Sequence, residues 1–394
     1  MKIGYDVSQT GKGKAGCGYF ADSLIRHLAQ VDTANEYVLY PTFGDVWFDP
    51  EWPSATIQID RPNFRRGLGH KNLDTLQSFW RNPPADLEKE LGSPDVVHAN
   101  NFFCPTTLKR ARLVYTLYDL GFLEYPDATT EQNRTGCFSG VFNASLHADL
   151  IVSISHYSRG HFLRTFPHYP ADRAVVVHPA SRYTGRGDIP RPKELARLVP
   201  GQFWLSVGTL EPRKNHRRLA AAYAELKKRV PDTYPLLLAG AQGWLMEGFE
   251  KYLEELGIRQ HVICPGYVDD AALQWLYQHC FALVYPSIFE GFGLPVLEAM
   301  SLGTATITSD VTSIPEITED TQLLIDPHDE GSILRAMQRV WEDRELHARL
   351  KEAALRQAGK FSWASAAGIV AGHYERVAHE PPLADILRKA AAAA

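Results

Sequence analysis

Short apolar runs alternate with longer amphipathic stretches along the chain. That alternation predicts parallel α/β architecture, because a parallel strand is covered on both faces by the helices that link it to its neighbours. In the first half, Ile3–Val7, Tyr37–Tyr40, Asp95–His98, Leu113–Leu117, Asp149–Ser153 and Ala174–His178 read as strands, and Gly18–Gln30, Glu131–His147 and Ser155–Phe166 as helices. Ser155 fits a cap, its hydroxyl accepting from a free amide of the first turn. Tyr183–Pro200 then carries Gly185, Gly187, Pro190, Pro192 and Pro200 without apolar periodicity and reads as a linker. Beyond it Phe203–Val207, Pro235–Ala239, His261–Cys264, Phe281–Tyr285 and Thr304–Thr308 read as strands, and Asn215–Arg229, Met246–Leu256, Asp270–His279 and Phe292–Leu302 as helices; after Glu330 the pattern is almost wholly helical.

The expectation is two Rossmann-like domains, 1–185 and 201–365, joined by a linker over 186–200, with a helical segment over 366–394 packing back on the first domain. Ligands of open parallel sheets bind at the carboxyl ends of the strands, so the tandem arrangement implies a cleft between the domains. At 394 residues, 45% hydrophobic and 22% charged, the chain can bury two real cores, and a formal net charge of -5 gives a nucleic-acid partner no support. Cys17, Cys104, Cys137, Cys264 and Cys280 are scattered and never spaced CxxC, which argues against a disulfide framework or a zinc site and suits a reducing cytoplasm. The N-terminal Met1–Val7 reads as a buried strand rather than a signal peptide, and no run reaches the ~18 apolar residues of a membrane span. Arg61, Arg65, Arg66, His70 and Lys71 surround Phe64 and Leu68. This segment is either a solvated loop or a surface for anionic lipid headgroups; a cytoplasmic protein is expected, with a peripheral contact at the inner membrane face under the second reading.

Chemistry concentrates in Tyr285–Met300, where a strand ends at Pro286, a loop carries Glu290, Gly291 and Gly293, and a helix starts near Leu294. Free amides and the macrodipole at such a helix start suit an anionic or hydroxyl-rich ligand, and glycines let backbone approach it. Glu298, about a turn and a half on, could face the same ligand as Glu290 and grip polyol hydroxyls at two points. Arg213 and Lys214 stand at another helix start, where positive charge opposes the dipole and an anionic ligand is the easier explanation. The chain holds no Asp-x-Asp triplet.

Two glutamates seven residues apart around Gly-Phe-Gly-Leu-Pro strongly resemble the retaining GT-B glycosyltransferases of family 4. The resemblance runs nearly the whole chain in order: Gly16-Cys17-Gly18-Tyr19, Pro94–His98, Tyr118-Asp119-Leu120, Ser153-Ile154-Ser155, Gly208–Asn215 and Gly266-Tyr267-Val268. It implies that Gly16 and Gly18 form a donor-facing glycine loop, that Gly208 belongs to the diphosphate loop, and that Tyr267 and Val268 contact the nucleobase. Glu298 would hold the ribose, Glu290 would lie by the transferred sugar, and the backbone amides at Gly291, Phe292, Gly293 and Leu294 would line it. Arg213 and Lys214 would neutralise the diphosphate, fixed cations taking the place of a metal as the leaving group gains charge. Many family members carry histidine where this chain has Tyr118, and a phenol is a poorer base near neutral pH. Tyr118 and Asp119 are therefore catalytic candidates and His98 an acceptor-side one, the alternatives being a packed aromatic, a turn cap and a satisfied core histidine; the departing phosphate can itself take the acceptor's proton.

The implied enzyme is a retaining, metal-independent hexosyltransferase without cofactor, binding its acceptor in domain 1–185 and its nucleotide sugar in domain 201–365, most like bacterial O-antigen and exopolysaccharide mannosyltransferases. It would use GDP-mannose, or secondly UDP-glucose or a related UDP-sugar, and a glycan or lipid-linked saccharide acceptor. A sugar-nucleotide epimerase or hydrolase, a silent sugar-nucleotide sensor and a lipid-surface scaffold are the rivals. Gly16–Ala21 also satisfies GxGxxA, but the strand before it ends near Val7, leaving too long a loop for a dinucleotide turn.

Overall fold

The computed structural model describes residues 1–12, 14, 16–45, 55–70, 72–183, 185, 187–243 and 246–393. The chain divides into two compact units: Met1–Pro126, Thr130–Pro179 and Ser362–Ala394 form the first, and Asp127–Thr129 with Ala180–Phe361 the second. The expected break at 185 thus falls at Ala180, and the segment returned to the first unit starts at Ser362 rather than 366.

The first unit holds a seven-stranded sheet of β1 (Lys2–Asp6), β2 (Glu36–Tyr40), β3 (Phe64–Arg66), β4 (Val96–Ala99), β5 (Arg112–Leu117), β6 (Leu150–Ser153) and β7 (Ala174–Val176). Its order is β3-β2-β1-β4-β5-β6-β7, every pairing parallel. The second unit holds β8 (Trp204–Val207), β9 (Leu236–Ala239), β10 (Val262–Gly266), β11 (Ala282–Tyr285), β12 (Thr306–Ser309) and β13 (Leu323–Ile325) in the order β10-β9-β8-β11-β12-β13, again all parallel. Strand order reverses between β1 and β4 in one sheet and between β8 and β11 in the other. Chain leaving two such neighbours diverges to opposite faces and opens a crevice at their carboxyl ends.

Strands β1, β4, β5, β6, β8, β9, β11 and β12 are buried almost throughout, as two helix-covered faces require. The helix Trp363–His379 packs on the helix Gly16–Val31, Trp363 meeting Phe20 edge-on with ring centroids 5.6 Å apart. Arg112 donates to the Val377 and Glu380 carbonyls, and Arg173 to the Pro381 carbonyl, tying this C-terminal segment to the first sheet. Ser155 caps the helix His156–Thr165, its Oγ accepting from the Ser158 amide.

The basic stretch beginning at Arg61 corrects the reading of an irregular loop. Phe64–Arg66 is an edge strand on β2, Phe64 stacks on buried Tyr37 at 4.5 Å, and Leu68 packs on the core of the first unit. The apolar half of the expected lipid-facing patch is therefore turned inward; Lys71 lies outside the described residues. Among the described residues, no helix is long and apolar enough to cross a membrane.

Candidate active site

The chain after β8 and the chain after β11 meet at the reversal point of the second sheet. Gly208 sits at φ 142°, and a Cβ there would lie 3.1 Å from Lys214 Cε, so glycine leaves the path along which the lysine runs. Asn215 takes a left-handed turn at φ 62° and donates to the Pro286 and Pro327 carbonyls, at 3.0 and 2.7 Å. Ile288 N donates to the Arg213 carbonyl at 2.9 Å, fastening the two loops backbone to backbone.

Four charged side chains close over this frame. Lys214 Nζ lies 2.6 Å from Glu290 Oε1 and donates to the Tyr285 hydroxyl at 2.6 Å. Tyr285 and Ser287 donate to the same Oε1 at 2.8 and 2.6 Å. Arg213 bridges Glu290 Oε2 at 3.0 Å and Glu211 Oε1 at 2.6 Å. Burial by itself would raise the Glu290 pKa, but Lys214 and Arg213 overcome it and hold the carboxyl at about 2. Burial, then Arg213, lowers that of Lys214. The two carboxylates balance the two cations, and the bonds to Glu290 and Tyr285 use two of the three ammonium protons.

Glu298 stands in the helix Leu294–Ser301, 4% exposed. Arg182 Nε reaches its Oε1 at 2.8 Å, and the Tyr277 hydroxyl donates to Oε2 at 3.1 Å. Arg182 also pairs with Asp270 at 2.9 Å. Burial raises the Glu298 pKa against the opposing pull of Arg182. Both glutamates expected to grip a polyol are thus already bonded by protein groups, Glu290 on both oxygens by cations. Its geometry is that of an anchor for Lys214 and Arg213.

The motif's other members frame the loop. Gly293, at φ 109°, precedes Leu294 at the helix start, and a Cβ there would strike Ile314 Cδ1 at 2.5 Å. Gly291 is buried; the Phe292 side chain is buried against Phe361, so only its backbone is available to a ligand. Ser313 Oγ donates to the Glu290 and Phe292 carbonyls. Tyr267 is 65% exposed just after β10, and Val268 half-buried.

In the first unit, two acceptor-side expectations are corrected. His98 is fully buried, its Nδ1 2.6 Å from the Tyr374 hydroxyl and its Nε2 2.9 Å from Thr116 Oγ1. Burial takes its pKa down to about 3, so it is a neutral core histidine with both nitrogens occupied. Tyr118 is also buried, its hydroxyl donating to the Asn100 and Cys17 carbonyls, and burial raises the phenol well above its ordinary range. It pins β5 to the start of the glycine-rich helix and is no base. Asp119 accepts from the Gly121 amide at 2.8 Å and is half-buried. Gly16 is exposed with open space around it, while Gly18 is crowded by the Gln9 carbonyl.

Sequence reading missed Tyr285, Ser287, Arg182 and Tyr277. The first two flank Glu290 in the motif and were legible as polar groups beside it. Arg182 lies 116 residues from Glu298, and no local signal joins them.

Residues 192–357, which carry the charged cluster, match the family described as glycosyl transferases group 1. The O-antigen chain mannosyltransferase B of Escherichia coli is 36% identical over 381 residues, covering 92% of this chain and 96% of that protein. The chain belongs to the glycosyl transferases group 1. Among solved structures, sucrose-phosphate synthase (tll1590) of Thermosynechococcus elongatus superposes with a TM-score of 0.71 at 20% identity, over 96% of this chain and 99% of that one. Anabaena HepE in complex with UDP-glucose gives 0.71 at 18% identity, over 95% and 100%. The fold of this glycosyltransferase is GT-B: two parallel-sheet α/β units, with its charged cluster at the reversal point of the second.

Proposed function

We propose that the enzyme is a retaining, metal-independent mannosyltransferase that moves mannose from GDP-mannose to a hydroxyl of a glycan or lipid-linked saccharide. The observation that carries this reading is the Lys214–Glu290–Arg213 cluster, built around buried Glu290 on the loops after β8 and β11. A diphosphate leaving group gains negative charge as the sugar–oxygen bond breaks, and fixed cations held out of water stabilise it without reorganising. The similarity to the E. coli mannosyltransferase supports mannose. In the proposed step the bond from C1 to the phosphate oxygen breaks, the acceptor oxygen bonds C1 from the same face, and its proton passes to the departing phosphate. Glu298 contributes to the ribose subsite, accepting from the ribose hydroxyls in exchange for a bond it now accepts from Arg182. Tyr267 and Val268 lie by the nucleobase, and Asp119 is the acceptor-side carboxylate. The reading places the enzyme in the cytoplasm.

A thermal-shift panel of GDP, UDP and their sugars tests the donor, since a ligand bound to the folded state alone raises the melting temperature. GDP and GDP-mannose are expected to give the largest shifts; a larger shift with UDP overturns the guanine assignment. Turnover is expected to survive EDTA, and the first product resolved by NMR to keep the donor's anomeric configuration. Loss of activity with EDTA would reject metal independence.

A further inference from the structure

Chain leaving β12 at Ser309 turns through residues 310–313 before entering the short helix Ile314–Thr318. Its hydroxyls are spent on the backbone of the neighbouring Glu290 loop. Ser309 Oγ donates to the Ser287 carbonyl, and half-buried Thr312 accepts from the Glu290 amide through Oγ1 at 3.1 Å. Buried Ser313 Oγ lies 2.9 Å from the Glu290 carbonyl oxygen and 2.8 Å from that of Phe292.

Two departures from local preference mark this bonding as a tertiary requirement. Ser313 stands at the N-cap of its helix, where a serine ordinarily accepts from a first-turn amide. It makes no such bond, and its hydroxyl serves the adjacent loop instead. Thr312 is held at φ 59°, in the left-handed region that a β-branched residue avoids. Such a conformation persists only where its surroundings over-determine it. Glycine would take that φ without strain, but would leave the Glu290 amide without this acceptor.

Held at its amide and at its carbonyl, Glu290 has its backbone fixed on both sides of Cα. That sets the root from which its carboxylate reaches Lys214 at 2.6 Å and Arg213 at 3.0 Å. We propose that Thr312 is a positioning residue for transfer: with Ser313 it fixes the Glu290 backbone, and through Glu290 the place of Lys214 against the departing diphosphate. It acts through the carboxylate and not on the donor itself. The proposal rests on the reading that Lys214 neutralises the leaving group, and adds the residue that aims it.

Release of nucleoside diphosphate from saturating donor by the full chain tests it, with methyl α-mannobioside as the acceptor probe. Thr312→Ser keeps the hydroxyl and sheds the branch, and its kcat is expected to stay within about twofold of wild type. Thr312→Val keeps the branch and loses the acceptor. Its kcat is expected to fall about tenfold, since a misplacement of about 1 Å can cost 10²-fold. Thr312→Ala, which loses branch and acceptor together, is expected to follow Thr312→Val, so that turnover tracks the hydroxyl alone. In a Lys214→Ala background, Thr312→Val is expected to cost less than about twofold, because residues that act as a unit are not additive. Equal losses in the two backgrounds, or a Thr312→Ser as slow as Thr312→Val, overturn the proposal alone. Unchanged turnover in Lys214→Ala by itself rejects the leaving-group reading and the proposal with it. Wild type is assayed with GDP-mannose and with UDP-glucose, and the ratios are read with the donor it uses, so a wrong donor assignment is recognised separately.

Discussion

Lys214 is held by an oxygen it shares with a phenol and a serine: Tyr285, Ser287 and the lysine all converge on Glu290 Oε1. That convergence separates two kinds of variant. Lys214→Ala removes leaving-group charge and should lower kcat roughly 10²–10³-fold in a donor-saturated transfer assay; unchanged turnover would remove the lysine from the mechanism. Glu290→Ala leaves the largely buried Lys214 without its carboxylate, while Arg213 keeps Glu211. It should destabilise the fold in urea unfolding by about 1–3 kcal/mol as well as lower activity, because Lys214 is left with the Tyr285 hydroxyl alone. Glu298→Ala should chiefly weaken GDP binding in calorimetry, and an unaltered affinity would reject its ribose role. Arg213, Lys214, Glu290 and Glu298 were legible as chemistry from their places at two helix starts, whereas their pairing was not. Sequence gave two free glutamates for a polyol, and the folded chain commits one to the cations and the other to Arg182 and Tyr277.

At the scale of elements, local signals sufficed where an element is long or capped. Asp270–His279 forms between the Asp269 cap and the last apolar position of its face, and Glu131–His147 between Thr130 and Ala148. The three-residue edge strands β3 and β13 were missed, whereas β7, equally short, was legible because apolar residues continue past it to Val177. Loop glycines act through particular neighbours. Gly293→Ala would force a positive φ on alanine and drive its Cβ onto Ile314, costing roughly 1–3 kcal/mol; a melting temperature equal to wild type would contradict the strained turn. Gly208→Ala crowds the lysine's own stem, so its expected signature is lost turnover, read in the same transfer assay.

For the whole molecule, pH is the sharpest probe. His98 in the first unit and His216 in the second are buried, and burial lowers both to about 3. The unfolded chain binds their protons below about 6.5 while the native one does not, so stability should fall as pH drops from about 6.5 towards 3. Glu290, depressed to about 2, adds a further loss below about 4.5. Melting temperatures flat between pH 7 and 4 would contradict neutral buried histidines. Ending the chain at Phe361 strips the first unit of Trp363 and of the Tyr374 partner of His98. Calorimetry should then lose the first unit's transition and keep the second's.

The sequence by itself determined the alternation of strands and helices, the two-sheet class and the family motifs, because periodicity, caps and loop glycines act over a few residues. Tertiary structure alone decided which polar residues face a ligand. His98 looked like a base at a strand end until Tyr374, 276 residues on, closed over it, and Phe64 looked exposed until it stacked on Tyr37. A side chain's role follows from the partner that desolvates it, and that partner is distant along the chain.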